Sequence, residues 1–189
     1  MPRQLLRDGR IVTDDWQYLA ELEAGTEGAV SGAIDGAGAN GAIGTGGVFH
    51  TGFGIPALIV PFARWLTERV DWLSRVGRLG VVLKPADKVE QLGPDAPRLA
   101  LIAAEFPGPT DGRGYTQGRL LRERYGFTGE LRAAGYVRRD QLFFLARCGF
   151  NSFELPEAEL ATALSAFSTF SAEYQPSNDA GLVRKLQHR

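Results

Sequence analysis

From residue 57 onward, short apolar runs alternate with segments whose apolar positions recur at helical spacing. Residues 57–60, Ala-Leu-Ile-Val between prolines, predict a buried strand. Residues 62–75 carry apolar side chains at 62, 65, 66, 70, 72 and 73 and predict a helix. Residues 79–83 and 99–106 predict the second and third strands, and between them Asp87-Lys-Val-Glu90 has the form of a capping box opening a short helix. A helix over 115–125, stopped near Gly126, leads to a fourth strand at 130–134. A helix over 137–148 ends at Gly149; a fifth strand over 150–155 and a last helix over 157–170 complete the series. At the other end, Asp8-Gly9 between the apolar pairs Leu5-Leu6 and Ile11-Val12 predicts a β-hairpin. Residues 14–19 read as a helical turn.

Strands that alternate with helices every 20–30 residues or so imply βα units and a mainly parallel sheet. The expected fold is therefore α/β, with about five such units preceded by a hairpin and a TIM half-barrel as one form of it. The expected organisation is a hairpin at 1–24, a separate segment at 25–54, an α/β domain at 55–175 and a polar tail at 176–189. The second of these stands out by composition: eleven of the 24 glycines fall within 25–54, with almost no charge. Such a stretch buries too little apolar surface to offset the entropy of ordering, so a flexible loop or insertion is expected. It contains Gly36-Ala-Gly38-Ala-Asn-Gly41, formally a dinucleotide fingerprint. That motif needs a strand before it and a helix opening at it, and neither is predicted here.

Composition narrows the chemistry. One cysteine among 189 residues excludes a disulfide framework and argues against iron–sulfur clusters, normally held by about four thiolates. The two histidines, His50 and His188, have no neighbour at metal-ligand spacing. No apolar run approaches the roughly 20 residues that cross a bilayer, and Asp8 follows Arg3 and Arg7 before any hydrophobic region, unlike a signal peptide. A net charge of -1 gives no footprint for nucleic acid. The expectation is a cytoplasmic bacterial protein whose sequence names no cofactor, since it carries no convincing nucleotide, metal or iron–sulfur motif.

The charge is unevenly spread. Residues 111–147 hold eight arginines and four acids, a local balance of +4, so the rest sums to -5. Guanidinium forks suit carboxylate, phosphate and sulfur oxyanions, although most charge runs are simply solvated faces. The loop after the third strand, 105–116, is long for a βα connection and leads into a helix N-terminus, a setting that favours anions. Its candidates are Asp111, Arg113 and Tyr115, with Arg119 one turn further on. Arg132, Arg139 and Asp140 form a second group around the fourth strand and the next helix. The plain structural reading of these residues is helix caps and an Asp111–Arg113 ion pair. Cys148 lies at a helix C-terminus, whose field opposes a thiolate, so burial as a small hydrophobe is expected.

Several blocks together resemble a known family. Asp111-Gly-Arg-Gly-Tyr115, Arg119-Leu-Leu-Arg-Glu-Arg-Tyr-Gly-Phe127, Gly129-Glu-Leu-Arg-Ala133, Arg139-Asp-Gln-Leu142 and Ala146-Arg-Cys-Gly-Phe150 are similar to a proteobacterial family of domains of unknown function. Its members are described as probable oxidoreductases involved in sulfite reduction and are encoded beside the assimilatory sulfite reductase haemoprotein. Arg10-Ile-Val-Thr-Asp-Asp-Trp16 fits the same pattern, so the resemblance spans about 3–22 and 55–175. It implies an accessory role in sulfate assimilation, as an oxidoreductase or electron-transfer helper with an anion-binding loop. The alternative is a non-catalytic subunit that docks on sulfite reductase. The implied partners are that haemoprotein and a small oxyanion or phosphate-bearing ligand. Gly135 is followed by Tyr136, where relatives often carry an acid.

Overall fold

The computed structural model describes residues 3–20, 57–168 and 178. The expected glycine-rich loop at 25–54, its fingerprint and His50 lie outside these residues, as do His188 and most of the expected tail. Among the described residues, eight strands form one sheet: β1 Gln4–Arg7, β2 Arg10–Thr13, β3 Trp16–Tyr18, β4 Ala57–Pro61, β5 Leu79–Leu83, β6 Leu101–Phe106, β7 Glu130–Gly135 and β8 Ser152–Phe153. The order across the sheet is β2-β1-β8-β7-β6-β5-β4-β3. From β3 to β8 every pair is parallel, while β1 is antiparallel to both β8 and β2. The α/β class, the parallel sheet and the hairpin are as the sequence predicts, with Asp8 (φ 48) and Gly9 (φ 73) supplying the left-handed turn.

One feature of this order dictates the shape. β2 and β3 are opposite edges of the sheet, yet only Asp14 and Asp15 separate them in the chain. In a flat eight-stranded sheet the edges would lie about 34 Å apart. Three Cα–Cα steps span at most about 11 Å. The sheet therefore curls into a half-barrel until its two edges meet. Contacts across the concave side record the curl: the Tyr18 hydroxyl on β3 donates to Glu154, just beyond β8, at 2.8 Å.

The convex side carries the helices: α1 Phe62–Thr67, α2 Arg69–Ser74, α3 Val89–Leu92, α4 Arg113–Glu123, α5 Leu142–Arg147 and α6 Glu157–Leu160. Val60, Val81, Ile102, Ala104, Leu131, Ala133 and Phe153 alternate toward them and pack with Trp65, Phe106 and Phe150 in the main core. A smaller cluster on the other face contains Trp16, Ala57, Ile59, Leu101 and Ala103. Helix α4 approaches closely because Gly114 and Gly118 face aromatic rings: a Cβ at Gly118 would lie 2.3 Å from Phe150 Cε2. Arg122 on the same helix donates to the carbonyls of Gly149, Phe127 and Gly129 at 2.5–3.0 Å. It thereby fastens α4 to the two loops that feed β7 and β8, and burial lowers its pKa to about 10.

Several sequence expectations need correction. Residues 14–19 are not a helical turn, because Trp16–Tyr18 pair with β4 as an edge strand. The expected helix at 62–75 breaks at Glu68 (φ -117, ψ 26) into α1 and α2. Asp87 does not cap α3; its carboxylate accepts from the Lys84 N–H at 2.7 Å. The helix expected at 137–148 begins as a 3-10 turn, Arg139–Gln141, and becomes α5 only at Leu142. That at 157–170 is α6 followed by a 3-10 turn, Ala163–Ser168.

Gly135 ends β7 with φ 86, and a Cβ there would lie 2.6 Å from the Phe106 carbonyl oxygen. Gly135→Ala should cost roughly 2–4 kcal/mol in chemical denaturation, because strain and a backbone clash coincide. Gly108→Ala, whose Cβ meets nothing within 4 Å, should change stability by less than about 0.5 kcal/mol. Equal losses in the two variants would contradict this packing.

Candidate functional site

The concave face of the half-barrel holds a dense polar cluster, which follows from strand alternation. Glu130 and Arg132 are two residues apart on β7, so both project to the side opposite Leu131 and Ala133. Arg132 is fully buried. Its Nη1 and Nη2 donate in bidentate fashion to Asp14 Oδ2 and Oδ1 at 2.9 and 3.0 Å. Nε and Nη2 also reach Glu130 Oε1 at 3.0 and 2.8 Å, and Nη1 reaches Glu154 Oε1 at 3.3 Å. A second tier of cations backs the carboxylates: Arg7 Nη1 lies 3.1 Å from Glu130 Oε2, and Arg3 Nη1 lies 3.8 Å from Glu154 Oε1. Burial opposes charge on Arg132, but the Asp14 hydrogen bonds and the Glu130 and Asp14 charges outweigh it and raise its pKa. Burial first, and then the Glu154 carboxylate, push the Tyr18 hydroxyl far above the ordinary tyrosine range. This phenol stays protonated and acts as a fixed donor.

Of the residues expected to bind an anion, Arg132 alone enters this cluster. The others lie along the loops and helices of the other side, most of them already engaged. Arg113 closes its fork on Asp111, with Nε to Oδ1 at 3.0 Å and Nη2 to Oδ2 at 2.6 Å. The Arg113 N–H also donates to Asp111 Oδ1 at 3.2 Å, so this carboxylate already sits at the start of α4. The hydrogen bond from Arg113 holds the Asp111 carboxyl below its usual value. Arg119 pairs with Glu123 one turn along α4. Arg139 donates through its backbone N–H to Glu159 and through Nη2 to Ser165.

Tyr115 packs edge-on against Phe106, with centroids 5.4 Å apart. Burial raises its pKa, and the Cys148 and Asp140 charges add to the effect. Burial likewise pushes the Cys148 thiol up, in keeping with a small, partly buried side chain packed on the main core. Among the described residues, no group of three or more His, Cys, Asp and Glu is arranged to hold a metal ion. No helix among them is long and apolar enough to cross a membrane.

Sequence reasoning missed Asp14, Tyr18, Glu130 and Glu154 as partners of Arg132. One signal was legible: Glu130-Leu-Arg132 on a strand puts opposite charges on one face. Asp14 comes from 118 residues away and is brought in by the curl of the sheet, while Glu154, 22 residues on, is brought in by the pairing of β8 with β7.

The protonated state of Tyr18 sets an alkaline limit. The unfolded chain loses this proton near the ordinary value of about 10, whereas the folded chain keeps it. The contribution is therefore fully present below pH ~10 and is lost as pH rises beyond it. Thermal unfolding of wild type should weaken more steeply above that pH than unfolding of Tyr18→Phe. Parallel pH profiles for the two proteins would contradict the assignment.

A comparison with curated proteins gives no match, and neither does one with solved structures. A family model does match: the family described as "Bacterial protein of unknown function (DUF934)" covers residues 80–182, from β5 past the last described helix. That span is more than half of the 189 residues and contains Glu130, Arg132, Ser152 and Glu154. The chain belongs to this family of bacterial proteins, DUF934.

Proposed function

We propose that this protein is an accessory component of assimilatory sulfite reduction that works by docking on the sulfite reductase haemoprotein. The observation that carries the reading is the block of residues 111–150, whose motifs resemble the family encoded beside that enzyme. The geometry favours docking over chemistry of the chain's own. The fork of Arg113 is closed on Asp111 and the Nε of Arg119 is paired with Glu123, and burial disfavours the thiolate form of Cys148 that a nucleophile or redox centre would need. These side chains support a rigid surface more readily than a reacting site.

An oxidoreductase or electron-transfer helper is the second reading. It draws on the resemblance of the 111–150 block and on the loop that leads into the start of α4. Its ligand would be a small oxyanion or a phosphate-bearing molecule taken up by the 105–116 loop, which requires Arg113 to exchange Asp111 for that ligand.

Size-exclusion co-elution with the haemoprotein at micromolar concentration tests the first reading. A complex that survives dilution and added sulfite is expected. Separate elution at every concentration would overturn docking and leave sulfite-dependent turnover as the reading to pursue.

A further inference from the structure

On the concave face, the Ser152 hydroxyl and the Trp16 indole N–H are buried with no hydrogen-bond partner among the described residues, and only the hydroxyl lies in register with Arg132. Ser152 is fully buried and its Oγ makes no hydrogen bond. It stands in register with Arg132 on the neighbouring parallel strand, so the two side chains share a face and a row, about 4.8 Å apart along the backbone. Buried hydroxyls are normally satisfied, and one that is not calls for a missing partner.

The charges of the cluster identify what that partner can be. Arg3, Arg7 and Arg132 supply three positive charges, and Glu130, Glu154 and Asp14 supply three negative ones. Glu130 and Glu154 each have a second cation, Arg7 and Arg3 respectively. Asp14 has none: besides Arg132, its carboxylate accepts only the Trp16 N–H, at 3.2 Å. It also stands on the two-residue link between the sheet edges, whereas Glu130 lies on β7 and Glu154 immediately follows β8. Displacing the Asp14 carboxylate from Arg132 takes one negative charge from the cluster.

We propose that Arg132 and Ser152 form a slot for a small oxyanion, and that Asp14 fills it in this structure as an autoinhibitory carboxylate. The two terminal guanidinium nitrogens already grip a carboxylate in the bidentate manner that sulfur and phosphorus oxyanions also accept. The Asp14 carboxylate carries one negative charge, so a monoanion such as formate, acetate, hydrogen sulfite or dihydrogen phosphate is its like-for-like replacement. The hydroxyl of Ser152, which the Asp14 carboxylate does not reach, is then a third donor for a ligand seated deeper on the same row. Binding exchanges one anion for another at Arg132 and releases the Asp14 link, so it is coupled to movement of β2 and β3. The inference rests on the docking reading only in the choice of sulfite as one probe.

Asp14→Ala in the full chain tests the slot by thermal unfolding in formate, acetate, sulfite or phosphate, against chloride at matched ionic strength. The variant should melt below wild type. At least one oxyanion should raise its Tm saturably toward the wild-type value, while chloride does not. The anion with the largest shift names the ligand class. Asp14→Ala combined with Arg132→Met should show no such rise. If Asp14→Ala does not stay folded, its refolding yield from denaturant is read instead, and should be several-fold higher in the effective oxyanion than in chloride. No oxyanion-specific gain in Tm or yield, or an equal gain in the double variant, would overturn the slot. That failure would leave co-elution with the haemoprotein unaffected, and a failure to co-elute would leave the slot standing.

Discussion

The bidentate pair between Arg132 and Asp14 ties the concave face to the link that joins the two edges of the sheet. A buried guanidinium without its counter-charges costs far more than an exposed one, and breaking such a pair from one side costs about 3–5 kcal/mol. The two-residue link brings β2 and β3 together, and that closure is what places Asp14 on Arg132. Curling the sheet, placing Tyr18 opposite Glu154 and burying Trp16 over Ala57 and Ile59 are consequences of the same closure. The antiparallel strand β1 completes the wall on the β8 side and brings Arg7 to Glu130.

The two faces of the sheet have been given different work. The convex face is an ordinary close-packed α/β interface, held by aliphatic strand residues, aromatic rings and two helix glycines. Its arginine, Arg122, is a backbone clamp that satisfies loop carbonyls. The concave face mixes small apolar residues with an ion cluster that is neutral only as a whole. Apolar packing of similar volume would be about as stable or more so. A polar cluster retained at this position is thus better explained by recognition than by stability, and that distinction directs attention to Arg132 instead of the loop at Asp111 and Arg113.

Local patterns in the sequence were enough to place most strands and helices. The runs at β4, β5 and β6 are continuous and apolar because parallel strands here are covered on both faces. The Asp8-Gly9 turn was equally plain, since its geometry is decided by the two residues themselves. β3 was not legible: three residues that pair on one side only, following two acids, look like the start of a helix until their partner β4 is known. The same limit applies to the concave cluster. Glu130 and Arg132 are neighbours on one strand, but Arg7 reaches them only through the pairing of β1 with β8, and Asp14 and Tyr18 only through closure of the sheet, neither of which a local pattern encodes. Conversely, the Asp111–Arg113 loop looked open to a ligand in sequence because helix start, acid and arginine fit both a binding site and a self-contained cap; the structure has them paired.

The most direct measurement of this account is a double-mutant cycle on Asp14 and Arg132, using Asp14→Asn, Arg132→Met and the combination in chemical denaturation. A closure that depends on the pair predicts a coupling energy of at least about 2 kcal/mol, with the double variant more stable than the sum of the single losses allows. Additive losses, with coupling within about 0.5 kcal/mol of zero, would mean that Arg132 is held by Glu130 and Glu154 alone and that the short link closes the sheet without help from the pair.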